Sequence, residues 1–242
     1  MRIVWTPEKI ENYKRASEYT SFHKKLSVLV EPYLDERWTL ADIGAGPGLI
    51  DIWLAPMAAS IDVIDKDSAA IDDLRARLED PSPESRRLAE KIRPRAASLE
   101  ELAGESWDVV MMGFFGIDKD VIEAVLPLAR RRLLIFMHGR PDQAGPLAAE
   151  DNKDKFSAAD MEAFLKEKEI VYKKSEIEMQ FGQPFKTIRD IQQFLAGYGG
   201  MDDEAAKRIA DAEERIIKTK RFDYPYYLPK SISVALFIIL IR

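Results

Sequence analysis

Short apolar runs alternate along the chain with stretches in which apolar residues recur every three or four positions. The runs Thr39–Ile43, Ile61–Ile64, Trp107–Gly113 and Arg132–Met137 are rich in Val, Ile, Leu and Met, and Ile92–Ala96 is expected as a further strand, the third in chain order. Uninterrupted short runs of this kind are strands buried on both faces. Between them lie helical repeats: Ser68 to about Leu78 through Ile71, Leu74 and Leu78, a short helix opened by Pro83, and Asp118–Leu128. Strand–helix alternation predicts a Rossmann-like α/β sheet. Ahead of it, residues 7–34 predict one helix, with Thr6 as cap, Pro7 in the first turn, and Tyr19, Phe22, Leu26, Leu29 and Val30 at helical spacing. After the fifth strand the chain predicts a polar loop over 140–156, then a helix from Ser157 through Met161, Phe164 and Leu165. An edge strand of alternating polar and apolar residues follows over 170–181, and the last strand is Ser231–Ile241. Between Gly182 and Pro229 the chain leaves the sheet. Thr187 caps a helix carrying Ile188, Ile191, Phe194 and Leu195, stopped by Gly197–Gly200; a charged helix spans Asp202–Lys218, and an aromatic segment spans Phe222–Pro229. The expected organisation is one compact domain: a helical cover over 1–35, a core over 36–181 plus 230–242, and a helical and aromatic lid over 182–229.

The first strand runs into Leu40-Ala41-Asp42-Ile43-Gly44-Ala45-Gly46-Pro47-Gly48-Leu49-Ile50. Glycines stand where a backbone turns tightly and meets a ligand closely. An apolar helix carrying Leu49, Ile50, Trp53, Leu54 and Met57 is expected next, with its N–H groups aimed at the turn. The ligand should therefore have an anionic or nucleotide-like part. Dinucleotide enzymes use G-x-G-x-x-G; here Leu49 stands where the third glycine of that motif would fall. Asp42 is badly placed for a pyrophosphate and suits an ammonium. Asp65, ~20 residues past Gly44, ends the second strand, where an acid can accept ribose hydroxyls. Its alternative role is a helix cap, which Asp67 fits better.

Composition narrows the chemistry. The 242 residues carry a net charge of -6, with a pI near 5.2, whereas general nucleic-acid binders carry a basic excess. Arg130–Arg132 and Lys218–Arg221 read as solvated surface. With no cysteine there are no disulfides, thiolate sites or cysteine nucleophiles, and two histidines argue against a multi-histidine metal site. The N-terminus lacks a long apolar region and Ile232–Ile241 is too short to span a bilayer, so a cytoplasmic protein without membrane association is expected.

Asp42-Ile43-Gly44-Ala45-Gly46-Pro47-Gly48 closely resembles the first motif of class I S-adenosylmethionine-dependent methyltransferases. Trp107-Asp108 and the apolar run after it resemble that family's fourth-strand entry, where Asp108 is structural. The resemblance covers about Trp38 to His138 and extends weakly to the last two strands. It implies a seven-stranded, mostly parallel sheet in the order 3-2-1-4-5-7-6, strand seven antiparallel, with helices on both faces. It also implies S-adenosylmethionine as cofactor, S-adenosylhomocysteine as product and no metal. Cofactor contacts would fall to Asp42, Gly44, Ala45, Gly46, Pro47 and Gly48, to Asp65 and Lys66, to Ser98 and Leu99 at the adenine, and to Gly113 and Phe114. Ser98 stands near where the family commonly has an acid, which leaves the Leu99 backbone N–H and side chain for the ring. No Asn/Asp-Pro-Pro-aromatic motif follows the fourth strand, which argues against amide and nucleobase amino acceptors.

Phe115, Tyr19, His23, Tyr224 and Tyr226 are candidates for the substrate pocket; each could equally pack the scaffold. His138, at the end of the fifth strand, is the candidate base, with a bond to a loop carbonyl as the alternative. The expected activity is methyl transfer to a small molecule by in-line displacement. Alternatives are an NAD(P)-dependent oxidoreductase, or a protein that binds S-adenosylmethionine for another reaction or for none.

Overall fold

The computed structural model describes residues 4–139, 156–196 and 203–241. Most of the predicted loop 140–156, and the predicted stop at Gly197–Gly200, lie outside the described residues. Five strands come first: β1 (Thr39–Ile43), β2 (Ser60–Asp65), β3 (Ile92–Ala96), β4 (Trp107–Gly113) and β5 (Ala129–His138). They run parallel. β6 (Tyr172–Gln180) and, after three short strands described below, β10 (Ser231–Leu240) complete a seven-stranded sheet in the order β3-β2-β1-β4-β5-β10-β6. β10 is antiparallel to both neighbours. This is the expected topology, with β10 as the seventh strand.

Successive residues of a strand face opposite sides, and β4 shows the division. Val110 and Met112 join Ile43, Ile135 and Phe237 in one apolar layer, closed by Ile122 and Val125 of α6 (Lys119–Val125) and by Met161, Phe164 and Leu165 of α7 (Ala158–Glu167). Val109 and Met111 join Val63, Leu134 and Leu236 in the other, beneath the N-terminal helices and Leu74 of α4 (Ser68–Leu78). The two sheet edges carry what an edge tolerates. Pro94 lies in β3, and Lys173, Lys174, Glu176 and Glu178 stud β6. Local caps start the helices as their sequences predict. The Thr6 hydroxyl accepts the Lys9 N–H at 3.3 Å, Asp67 accepts that of Ala69 at 3.1 Å, and Ser157 and Asp160 cap each other reciprocally.

Three expectations are corrected. Residues 7–34 form two helices, α1 (Pro7–Thr20) and α2 (Phe22–Val30), with a 3₁₀ turn at Glu31–Tyr33. Ser21 breaks them at φ 55°, in the left-handed region, after the Thr20 hydroxyl bonds back to the Ala16 carbonyl at 2.7 Å. The bend lets α2 bury Phe22 and Leu26 in the sheet layer. The helix after the glycine turn is four residues, α3 (Asp51–Leu54), followed by a 3₁₀ turn over Ala55–Met57. Leu49 and Ile50 precede it, and Pro56, which has no N–H, cannot continue it. The lid holds α8 (Ile188–Ala196) and α9 (Asp203–Glu214) as predicted helices, but also a small antiparallel sheet. Its strands β7 (Gln183–Phe185), β8 (Ile217–Lys218) and β9 (Tyr226–Leu228) lie in the order β7-β9-β8. Strands of two or three residues are too short to show a periodicity. Phe185, Ile191, Leu195, Ala212 and Leu228 form the lid's own apolar cluster. α5 (Pro83–Ala89) is the short helix expected at Pro83. Among the described residues no helix is long and apolar enough to cross a membrane.

The bend at Ser21 folds α1 back around His23 of α2. The Tyr13 hydroxyl lies 2.9 Å from His23 Nε2, and Ser17 Oγ lies 2.6 Å from Nδ1. Burial pushes His23 down to about 3.

Two stability measurements test this packing. Phe237 is fully buried in β10; Phe237→Ala should cost about 3–5 kcal/mol, read as a lower urea midpoint at an unchanged slope. His23 is neutral in the fold, with its pKa below the unfolded value of about 6.5. Its contribution is intact above pH 6.5 and is lost as pH falls from there toward 3. Between pH 7 and 4.5 the loss should be roughly 1–3 kcal/mol. His23→Gln should flatten that part of the urea-midpoint profile; an unchanged profile would refute a buried neutral histidine.

Candidate functional site

β1 lies between β2 and β4, at the point where strand order reverses. Open parallel sheets bind ligands at the carboxyl edge of such a point. The turn after β1 is pinned to β2, because the Gly44 and Ala45 N–H groups both donate to the Ile64 carbonyl, at 2.8 and 3.1 Å. Gly44, Gly46 and Gly48 take φ values of 74°, 58° and 65°, which residues with a Cβ rarely adopt. Space is equally tight. A Cβ on Gly44 would come within 2.5 Å of the Phe115 ring, one on Gly46 within 2.8 Å of the Trp5 ring, and one on Gly48 within 2.9 Å of Leu74. Two of the three glycines thus face aromatic rings. Pro47 turns its carbonyl to the Arg77 guanidinium of α4.

Four aspartates surround the turn. Asp65, at the end of β2, accepts the Gly46 N–H and the Asp67 N–H, each at 2.8 Å and each on its own oxygen. Both oxygens keep a lone pair for a further donor. Asp67 is the cap of α4 and also accepts the Trp5 N–H at 2.8 Å, which seats the N-terminal segment over the turn. Asp42, at the end of β1, is buried and lines a cleft. Burial, and then the adjacent Asp51 and Asp65, push its carboxyl well above the usual carboxylate range. Asp51, the first residue of α3, is completely buried, and burial pushes it upward too. Sequence reasoning missed Asp51. Its only signal was an acid one place past an apolar pair at the start of an expected apolar helix.

The cleft beside Asp42 is lined by Tyr13, His23, Leu26, Gly44, Met111, Gly113, Phe114 and Phe136, among others, with a free volume of about 40 Å³. Phe114 takes φ 59° and stacks on Phe136 at 5.9 Å. Phe22 contacts Phe114 at 5.9 Å and Phe181 at 4.5 Å, and Tyr13 contacts Phe181 at 5.4 Å and Trp5 at 5.2 Å. Tyr13, Phe114 and Phe136 line the cleft itself, and Phe22, Phe181 and Trp5 pack against the rings that do. A larger hollow, of about 500 Å³, lies at the opposite edge of the sheet between Leu126, Ile170, Val171 and Leu240, away from the turn.

The structure therefore brings together Asp42, Gly44, Ala45, Gly113, Phe114 and His23, with Gly46, Pro47, Gly48, Asp65 and Phe115 around the turn. Lys66 is exposed beside Asp65. Ser98 caps the 3₁₀ turn Leu99–Leu102, with Glu101 accepting its N–H at 2.7 Å, and Leu99 packs on the core. His138 ends β5 exposed, its ring 5.4 Å from Phe114. Tyr19 and Tyr224 meet one another at 5.9 Å and do not line this cleft, and Tyr19 stacks on Tyr227 at 4.8 Å. Tyr226 packs against the lid cluster.

This donor set fits an adenosyl amino acid. Asp65 can accept ribose hydroxyls, Asp42 can meet an ammonium, and three glycines leave a cradle that side chains would fill. The Trp5 and Phe115 rings lie against Gly46 and Gly44 along this cradle. Among the described residues no group of three or more His, Cys, Asp or Glu could hold a metal ion.

No protein-family model matches the chain, and no curated protein sequence matches it. Solved structures do. The chain is similar to the YcgJ protein of Bacillus subtilis at 13% identity and a TM-score of 0.59, over 91% of this chain and 99% of that one. It is similar to magnesium protoporphyrin IX methyltransferase from Synechocystis, solved with bound SAH, at 13% identity and a TM-score of 0.53, over 98% and 89% of the two chains. It is similar to precorrin-6y C5,15-methyltransferase from Geobacter metallireducens at 14% identity and a TM-score of 0.50, over 87% of each. Identities this low establish architecture alone: the chain has the Rossmann-like fold of class I S-adenosylmethionine-dependent methyltransferases.

Proposed function

We propose that the protein is an S-adenosylmethionine-dependent methyltransferase acting on a small molecule. The observation that carries this reading is the meeting, at one sheet edge, of three left-handed glycines, cleft-lining Asp42 and Asp65 at the end of β2. A nicotinamide dinucleotide is the poorer fit, because a carboxyl beside the turn opposes a pyrophosphate and buried Leu49 replaces the third glycine. Structures of this fold serve both small-molecule and RNA methyltransferases. The net charge of -6 and a cleft lined by the chain's own Tyr13, Phe114 and Phe136 support a small acceptor.

When bound, the cofactor supplies a sulfonium methyl open to in-line displacement. The chain supplies position and dryness. Asp65 would meet the ribose, Asp42 the ammonium and the Leu99 backbone the adenine, while Gly113 and Phe114 would wall the methyl. Tyr13, Phe114 and Phe136, which line the cleft, keep it apolar and dry in this reading. His138, exposed and with its ring 5.4 Å from Phe114, is the base in this reading where the acceptor arrives protonated. His23 is unsuited, because burial disfavours its protonated form.

Thermal shift with S-adenosylmethionine, S-adenosylhomocysteine and NAD tests the cofactor. At about a hundred times the dissociation constant, binding adds about 2.7 kcal/mol, a rise of roughly 5–10 °C for a chain of this size. Both adenosyl ligands should shift the protein and NAD should not; a shift with NAD alone would overturn the reading. Methyl-labelled S-adenosylmethionine should then pass its label to an acceptor.

A further inference from the structure

We propose that Asp51 is a positioning residue for the amino end of the cofactor: it lies behind Asp42, shares a proton with it, and the pair releases that proton when an ammonium arrives. This rests on the cofactor reading above.

The geometry is that of two carboxyls with one outlet. Asp51 is fully buried at the start of α3, and neither of its oxygens has a donor. Asp42 is the carboxyl beside it and is the member of the pair that lines the cleft. As carboxylates the two could only accept and would repel; with one proton between them they form an O–H···O bond. The groups packed around them do not neutralise a second charge. Asp65 at the end of β2 adds negative charge. Arg77 of α4 acts on Asp51, but its own hydrogen bonds go to Asp73 and to the Pro47 carbonyl. Tyr13 of α1 and His23 of α2 are both held neutral by burial.

With the cleft empty of positive charge, the pair keeps its proton and staples α3 to β1. An ammonium against Asp42 instead supplies the missing positive charge, so the ionised form becomes the favoured one. The O–H bond between the carboxyls breaks, the electron pair stays on oxygen as a carboxylate facing the ammonium, and the proton passes to solvent.

Calorimetric titration at pH 6.5, in two buffers of different ionisation enthalpy, counts the protons released. S-adenosylhomocysteine should release about 0.5–1 proton per site. 5′-Methylthioadenosine, which keeps the nucleoside and lacks the amino-acid end, should bind and release close to none. In Asp51→Asn the amide donates to Asp42 and holds it ionised beforehand, so S-adenosylhomocysteine should bind with no release. Equal release by the two ligands, no release by S-adenosylhomocysteine, or unchanged release in Asp51→Asn would each overturn the proposal. The two-ligand comparison on the parent protein decides it even if that variant does not fold. Binding of neither ligand overturns the cofactor reading, and this inference with it.

Discussion

The constraint on which the rest of the structure depends is that β1 must end in a turn whose alternate residues carry no side chain. Three consecutive alternate residues adopt left-handed backbone there, and each has a neighbour within 3 Å of where a Cβ would stand. Those neighbours come from the N-terminal segment, from the loop after β4 and from α4. The turn is therefore the place where three separate parts of the chain register against β1. β2 pins it through the Ile64 carbonyl, and Arg77 of α4 reaches across to Pro47. Because β1 is central and covered on both faces, its last polar residue, Asp42, is buried as well, and its charge becomes a matter for whatever enters the cleft.

The polar half of the site comes from strand ends, and the apolar half from the N-terminal helices. The bend at Ser21 turns two helical segments into a roof, with Tyr13 and Phe22 on either side of Phe181. The lid braces that roof from outside. Tyr19 stacks on Tyr227, and the Arg221 guanidinium lies 4.5 Å over the Tyr19 ring. Cover and lid are thus held to each other by aromatic contact, while the cleft proper is bounded by α1, α2 and the loop after β4. Tyr19 and Tyr224 serve this bracing, and their distance from Asp42's cleft follows from it.

Features set within a few residues were legible in the sequence. The caps at Thr6, Asp67 and Ser157 and the glycine turn all follow from local backbone chemistry. Asp67 capping α4 left Asp65 available, as the spacing suggested. Ser21, by contrast, sits in an unbroken helical periodicity, and only the fit of Phe22 and Leu26 against the sheet bends the chain there. The strands of the lid are too short to carry a pattern, and Pro56 shortened a helix whose apolar spacing promised more.

The sequence by itself determined the alternation of strands and helices and the glycine turn between β1 and α3, while the strand order was what the resemblance of the first motif implied. It did so because strand burial, glycine conformation and capping are decided over a handful of neighbouring positions. Tertiary structure alone decided which rings cover the turn, that His23 is neutral between Ser17 and Tyr13, and that Asp51 stands behind Asp42. Each of these pairs residues from different elements, and burial and charge, unlike helix or strand spacing, are properties of what the rest of the chain brings alongside.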